Sequence, residues 1–120
     1  MVVERRFHPR YIMQLPVKLK LPGSDELYKA NSLNVSLSGM QLAVPQYVTD
    51  AIKRYCSIPQ ELTVSIVADN DESDDSEPLQ YPARIIINRR MSSDEYLIGL
   101  KFRALSTTHQ ESLQNLLNRA

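Results

Sequence analysis

The chain of 120 residues has one cysteine, no tryptophan, three glycines and two histidines. A single thiol, Cys56, cannot form an internal disulfide, and it fits a reducing compartment in which it serves as a small apolar side chain. His8 and His109 are far apart, and with one cysteine they give no metal-ligand spacing. No apolar run approaches the ~18 residues that would suggest a membrane-spanning helix. The start is rich in arginine and lacks an apolar segment, which is not the pattern of a secretory signal. Nothing pairs Ser36 or Cys56 with a general base, and the carboxylates cluster in a loop, so no catalytic arrangement emerges. These absences lead to the expectation of one non-enzymatic, cytoplasmic domain without metal or cofactor.

The formal net charge is zero, but the charge is unevenly placed. Residues 1–20 hold Arg5, Arg6, Arg10, Lys18 and Lys20 against Glu4 alone, a net +4. Asp69, Asp71, Glu72, Asp74, Asp75 and Glu77 follow one another without a base, a net −6. A basic start and an acidic loop on a neutral body argue for a local anion site and against the wide basic face that nucleic acid needs. The acidic tract is too charged to pack and is expected to be a mobile loop between strands. It lacks the glycine and terminal glutamate of a calcium loop.

Pro9 disfavours helix at His8, so Arg6 and Arg10 do not lie one turn apart on a helix. Residues 1–11 read as an extended arm, and residues 12–120 as the folded domain. Arginine's flat, permanently charged fork suits phosphate, the O6/N7 edge of guanine, or stacking on a base. A solvated basic terminus is the plain alternative. The second notable stretch is Asn34-Val35-Ser36-Leu37-Ser38-Gly39. Asn34 and Ser36 share one side of an extended chain and could offer an amide and a hydroxyl to one ligand edge. They could equally bond their own backbone at a strand–turn–strand corner. With so few glycines, Gly39 implies either positive φ or a close approach by another group.

The rest of the chain is mostly strand-like. Met13, Leu15, Val17, Leu19 and Leu21 alternate over 12–21, with Pro16 pointing to an edge or a strand start. Pro22-Gly23-Ser24-Asp25 is a turn. Further strands are predicted over 27–34, through Met40, Leu42 and Val44, through Leu62, Val64 and Ile66, over 79–90, and over 95–103. The run Ile85-Ile86-Ile87 implies burial on both faces or a bend, and Gly99 a bulge or close approach. Tyr47, Val48, Ala51, Ile52 and Tyr55 recur at helical spacing. Ser106-Thr107-Thr108 supplies caps for a last helix, with Thr108 and Glu111 as a capping box and Leu113, Leu116 and Leu117 as its apolar stripe.

Arg6-x-x-x-Arg10 followed by Asn34-x-Ser36-x-x-Gly39, on this strand pattern and with Ile98-Gly99-Leu100-Lys101-Phe102 before a terminal helix, resembles the PilZ domain family from about Glu4 to Leu117. The resemblance implies an all-β fold, a six-stranded antiparallel β-barrel with a C-terminal α-helix and a short helical connection. It also implies a receptor for the second messenger cyclic di-GMP. Arg6 and Arg10 would grip a guanine and the phosphates, Asn34 and Ser36 would meet a guanine edge, and Gly39 would leave room for the turn. Arg5 would stack on a second guanine of a stacked ligand pair. The family often has Asp at the position of Asn34. An amide brings no charge to that contact, which implies weaker binding. The output would pass to an unidentified effector protein or through a homodimer. Two rival readings are a PilZ-like interaction module that binds no ligand, for which Asn34 is the best support, and a small barrel for single-stranded nucleic acid. The latter wants clustered aromatics, whereas the two Phe and six Tyr are scattered.

Overall fold

The computed structural model describes residues 9–56, 59–66 and 79–119. Seven strands and two helices follow in the order β1 (Tyr11–Ile12), β2 (Pro16–Lys20), β3 (Leu27–Val35), β4 (Gly39–Pro45), α1 (Gln46–Tyr55), β5 (Glu61–Ile66), β6 (Gln80–Arg90), β7 (Glu95–Phe102) and α2 (Thr107–Leu117). All pairings are antiparallel, in the order β1-β3-β2-β5-β6-β7-β4, and β3 also pairs with β4. That last pairing closes β2 to β7 into a six-stranded barrel, with β1 as an added strand. Closure leaves the barrel strands no open edge along their paired lengths.

Alternation decides which residues fill the barrel. Val17, Leu19, Leu42, Val44, Val64, Ile98 and Leu100 point inward and are at most 1% exposed. Each contributes on the order of 2 kcal/mol through burial. In α1, Val48, Ala51 and Ile52 form one buried face against the core, as the helical spacing predicted, while Tyr47 lies outside. Leu113 and Leu117 bury the inner stripe of α2, and Leu116 is only half-buried. The cap of α2 differs from the expected Thr108–Glu111 box. Ser106 is the N-cap, and the His109 ring returns a bond to the Ser106 backbone N–H. His109 is favoured because its other ring nitrogen reaches the Gln80 carbonyl on β6 at 2.7 Å and its ring packs on Tyr81.

The expected strand over 12–21 is broken into β1 and β2, which lie along the same side of β3. Its break is held by Ser32, which is fully buried. The Ser32 Oγ accepts from the Leu15 N–H at 2.9 Å and donates to the Met13 carbonyl, while the Ser32 N–H donates to the Leu15 carbonyl at 2.9 Å. One hydroxyl thus satisfies backbone groups that a continuous ladder would otherwise have paired.

Two bulges redirect side chains. Leu33 is the extra residue of β3 between Ser32 and Asn34, and Ile86 is that of β6 between Ile85 and Ile87. The isoleucine run is therefore a bend: Ile86 is 54% exposed, and Ile87 also faces outward. Gly99 lies beside this bend, where a Cβ would come within 3.0 Å of the Ile87 side chain.

Candidate ligand site

The bulge in β3 builds the site. Tyr28, Ala30 and Ser32 point inward, so strict alternation would bury Asn34 as well. The extra Leu33 moves Val35 into the core and turns Asn34 outward, opposite Gln41 of β4. Strand β1 then sets Ile12 opposite Asn34 and Tyr11 opposite Val35. Arg10, the residue before β1, consequently reaches the outward face of the same corner.

Three side chains meet there. Arg10 Nη1 donates to Asn34 Oδ1 at 2.9 Å, and Asn34 Nδ2 donates to Gln41 Oε1 at 2.7 Å. Arg10, Asn34 and Gln41 are all half-buried, so the contacts are partly shielded without being closed to a ligand. The second arginine of the first motif, Arg10, and the first residue of the second motif, Asn34, are thus joined although 24 positions apart. Arg5 and Arg6 lie outside the described residues, as do most of the expected arm and the acidic tract from Asp69 to Glu77.

Ser36 and Gly39 make the turn between β3 and β4. Ser36 is almost fully buried, and its Oγ accepts from the Ser38 N–H at 3.1 Å and the Gly39 N–H at 3.2 Å. The Ser36 N–H donates to the Gly39 carbonyl at 2.8 Å. This is the local backbone-bonding arrangement that Ser favours. Of Asn34 and Ser36, only Asn34 holds its polar group toward Arg10, whereas Ser36 shapes the corner, and the exposed Ser38 hydroxyl lies 3.1 Å from the Ser36 hydroxyl. Gly39 has no positive φ; its need is space. It pairs with Lys101 of β7, and an added Cβ would fall on the Leu100 carbonyl, with the Lys101 Cα at 3.3 Å. A cleft of about 370 Å³ adjoins the turn, lined by Leu37, Ser38, Lys101, Leu105 and Gln114. Lys101 adds a cation on that side. Two larger hollows, 630 Å³ beside the β2–β3 turn and 830 Å³ beside Lys18 and Lys29, contain none of the motif residues.

Gln41 escapes a sequence reading based on motifs. Its outward position follows from alternation with Met40 and Leu42, but its pairing with Asn34 depends on the bulge. Ser32 is missed for the same reason, since its partners lie 17 and 19 positions away. Burial pushes the Cys56 thiol above its ordinary value of 9.0, which keeps it protonated and argues for the packing role. Among the described residues no group of acidic, histidine or cysteine side chains is arranged to hold a metal ion, and no helix is long and apolar enough to cross a membrane.

No curated protein matches in sequence. Solved structures match in fold. The inhibitor of motility MotI/DgrA of Bacillus subtilis aligns with a TM-score of 0.69 at 17% identity, over 98% of this chain and 52% of that one. The Klebsiella MrkH–c-di-GMP complex aligns with a TM-score of 0.69 at 15% identity, over 97% of this chain and 52% of that one. The c-di-GMP-bound PilZ domain of YcgR from Escherichia coli gives 0.60 at 12% identity, over 94% and 88%. The chain thus spans about half the length of MotI/DgrA and MrkH, and at these identities the likeness shows the fold. The family model of the PilZ domain matches residues 4–119. With that match over nearly its whole length, and with the barrel and paired motifs described above, the chain belongs to the PilZ domain family.

Proposed function

We propose that the protein is a non-catalytic receptor for cyclic di-GMP. The observation that carries this reading is the direct bond from Arg10 to Asn34, which brings the two separated motifs to one outward corner of the barrel. The PilZ domain of YcgR and MrkH, each solved with c-di-GMP, share the fold. In the proposed complex Arg10 leaves Asn34 and turns with Arg6 to the phosphates and a guanine Hoogsteen edge, where charged bidentate contacts are strongest. Asn34 then meets a polar guanine edge. Ser36 and Gly39 act by holding the turn, and Arg5 stacks on a second guanine. Residues 1–11 serve as the ligand-ordered arm, and an effector protein or a second copy in the cytoplasm reads the ordered state. Ordering costs about 1 kcal/mol or more per residue, so several charged contacts must form together.

The test is calorimetric titration of the protein with cyclic di-GMP, alongside Arg6→Ala and Arg10→Ala. Saturable heat is expected from the parent chain and an affinity at least about tenfold weaker from each variant. A stoichiometry of two ligands per chain is expected for the stacked pair. Absence of heat from the parent chain at high ligand concentration sinks the receptor reading and leaves the interaction module.

A further inference from the structure

The bond directions at Asn34 carry a consequence for ligand choice, which rests on the receptor reading above. Arginine has donors and no acceptor, so the atom of Asn34 that meets Arg10 must be Oδ1. That leaves Nδ2 toward Gln41, which must present its oxygen. Arg10 therefore sets the polarity of the whole row. When Arg10 turns away to a phosphate, that constraint is lifted. Gln41 carries both an acceptor and two donors. Both amides can then rotate by half a turn together and keep a hydrogen bond between them, with donor and acceptor exchanged. An aspartate at position 34 has no such freedom, because an ionised carboxylate only accepts.

We propose that the Asn34–Gln41 pair is a reversible recognition element that admits a cyclic dinucleotide carrying adenine at the base facing Asn34, while the other base, on Arg6 and Arg10, stays guanine. The polar edge of guanine sets the O6 acceptor beside the N1–H donor. Adenine sets the N6–H donor beside the N1 acceptor, the same two roles in the opposite order. One amide matches either order by reversing, because its Oδ1 accepts and its Nδ2 donates. A carboxylate instead suits the N1–H and N2–H donors of guanine and meets the adenine N1 lone pair with another lone pair. Asn34 thus trades strength on guanine for tolerance of the second purine, and Gln41 is the positioning residue that makes the reversal cheap.

The experiment compares cyclic di-GMP with the hybrid cyclic dinucleotide of one guanine and one adenine, in the same linkage, by calorimetry on the parent chain, Asn34→Asp and Gln41→Glu. Melting curves establish that each variant is folded. The parent chain is expected to bind the two ligands within about tenfold of each other, and Asn34→Asp to widen that ratio by about tenfold or more in favour of cyclic di-GMP. Gln41→Glu, which only accepts, fixes Asn34 in one order and is expected to shift the ratio, where a merely structural role would weaken both ligands equally. An unchanged ratio in both variants overturns the proposal, as does a parent chain that binds cyclic di-GMP but takes the hybrid more than about a hundredfold more weakly. A parent chain that binds neither ligand overturns the receptor reading itself and this inference with it. If Asn34→Asp fails to fold, the ratio in Gln41→Glu decides.

Discussion

The bulge at Leu33 in β3 and the bulge at Ile86 in β6 are the same backbone device with opposite products. They also lie on one row of the barrel, because Asn34 is opposite Gln41, Gln41 opposite Gly99, and Gly99 opposite Ile87. At the β3 end the inserted residue brings out an amide that meets a second amide and an arginine. At the β6 end it brings out two isoleucines, and Gly99 leaves room for one of them. An inserted residue fixes only which way the following side chains point. The chemistry comes from what neighbouring strands place alongside, and from how the inward-facing groups beside the bulge are satisfied.

Substitutions at the two ends sharpen that contrast. The largest effect is expected from Ser32→Ala, beside the β3 bulge. It leaves the Leu15 N–H and the Met13 carbonyl without their partner in a buried place, and should lower unfolding free energy by about 1–3 kcal/mol in chemical denaturation. A loss under a few tenths would show that the β1–β2 break does not depend on this hydroxyl. Gly99→Ala, at the other end, forces the Ile87 side chain to shift by a few tenths of an ångström. The nearest atom is the Ile87 Cβ at 3.0 Å, which moves only with β6, so the outward strand must give slightly and about 1 kcal/mol is expected, as for mild overpacking. A cost as large as that of Ser32→Ala would erase the distinction between the polar and apolar bulges. Ile86→Ser should change stability by less than about 0.5 kcal/mol in the same measurement, since the side chain is already half in water.

Most of the fold was legible because strands of one barrel bury one face and alternate. The runs through Leu19, Leu42, Val64 and Ile98 carried their own positions. What remained hidden depended on distant partners. Met13 and Leu15 continue the alternation of Val17 and Leu19 without a flaw, and only Ser32, far along the chain, reveals the break. Thr108–Glu111 satisfies the sequence pattern of a capping box and Ser106–His109 does not, yet a carbonyl on β6 that holds the His109 ring favours the latter. At the site, Arg10 and Asn34 were legible as motif residues. Gln41 was not, because alternation places it outward without saying what an inserted residue would set beside it. Gly39 was legible as a constrained position, but whether φ or crowding constrained it required the neighbouring strand.

The closure of the barrel also has a kinetic meaning. Asn34 and Gln41 belong to one hairpin joined by the Ser36–Gly39 turn, so they can meet within the microseconds of local hairpin formation. The other edge of β4 waits for β7, whose Lys101 pairs with Gly39 from the far side of β5 and β6. Such non-local pairing is slow, commonly milliseconds to seconds in β-rich domains. During that interval the newly made β3–β4 hairpin carries an unpaired strand edge, open to any other extended chain. Gly39, without a side chain at the seam, then lets the last strand approach closely enough to cover it.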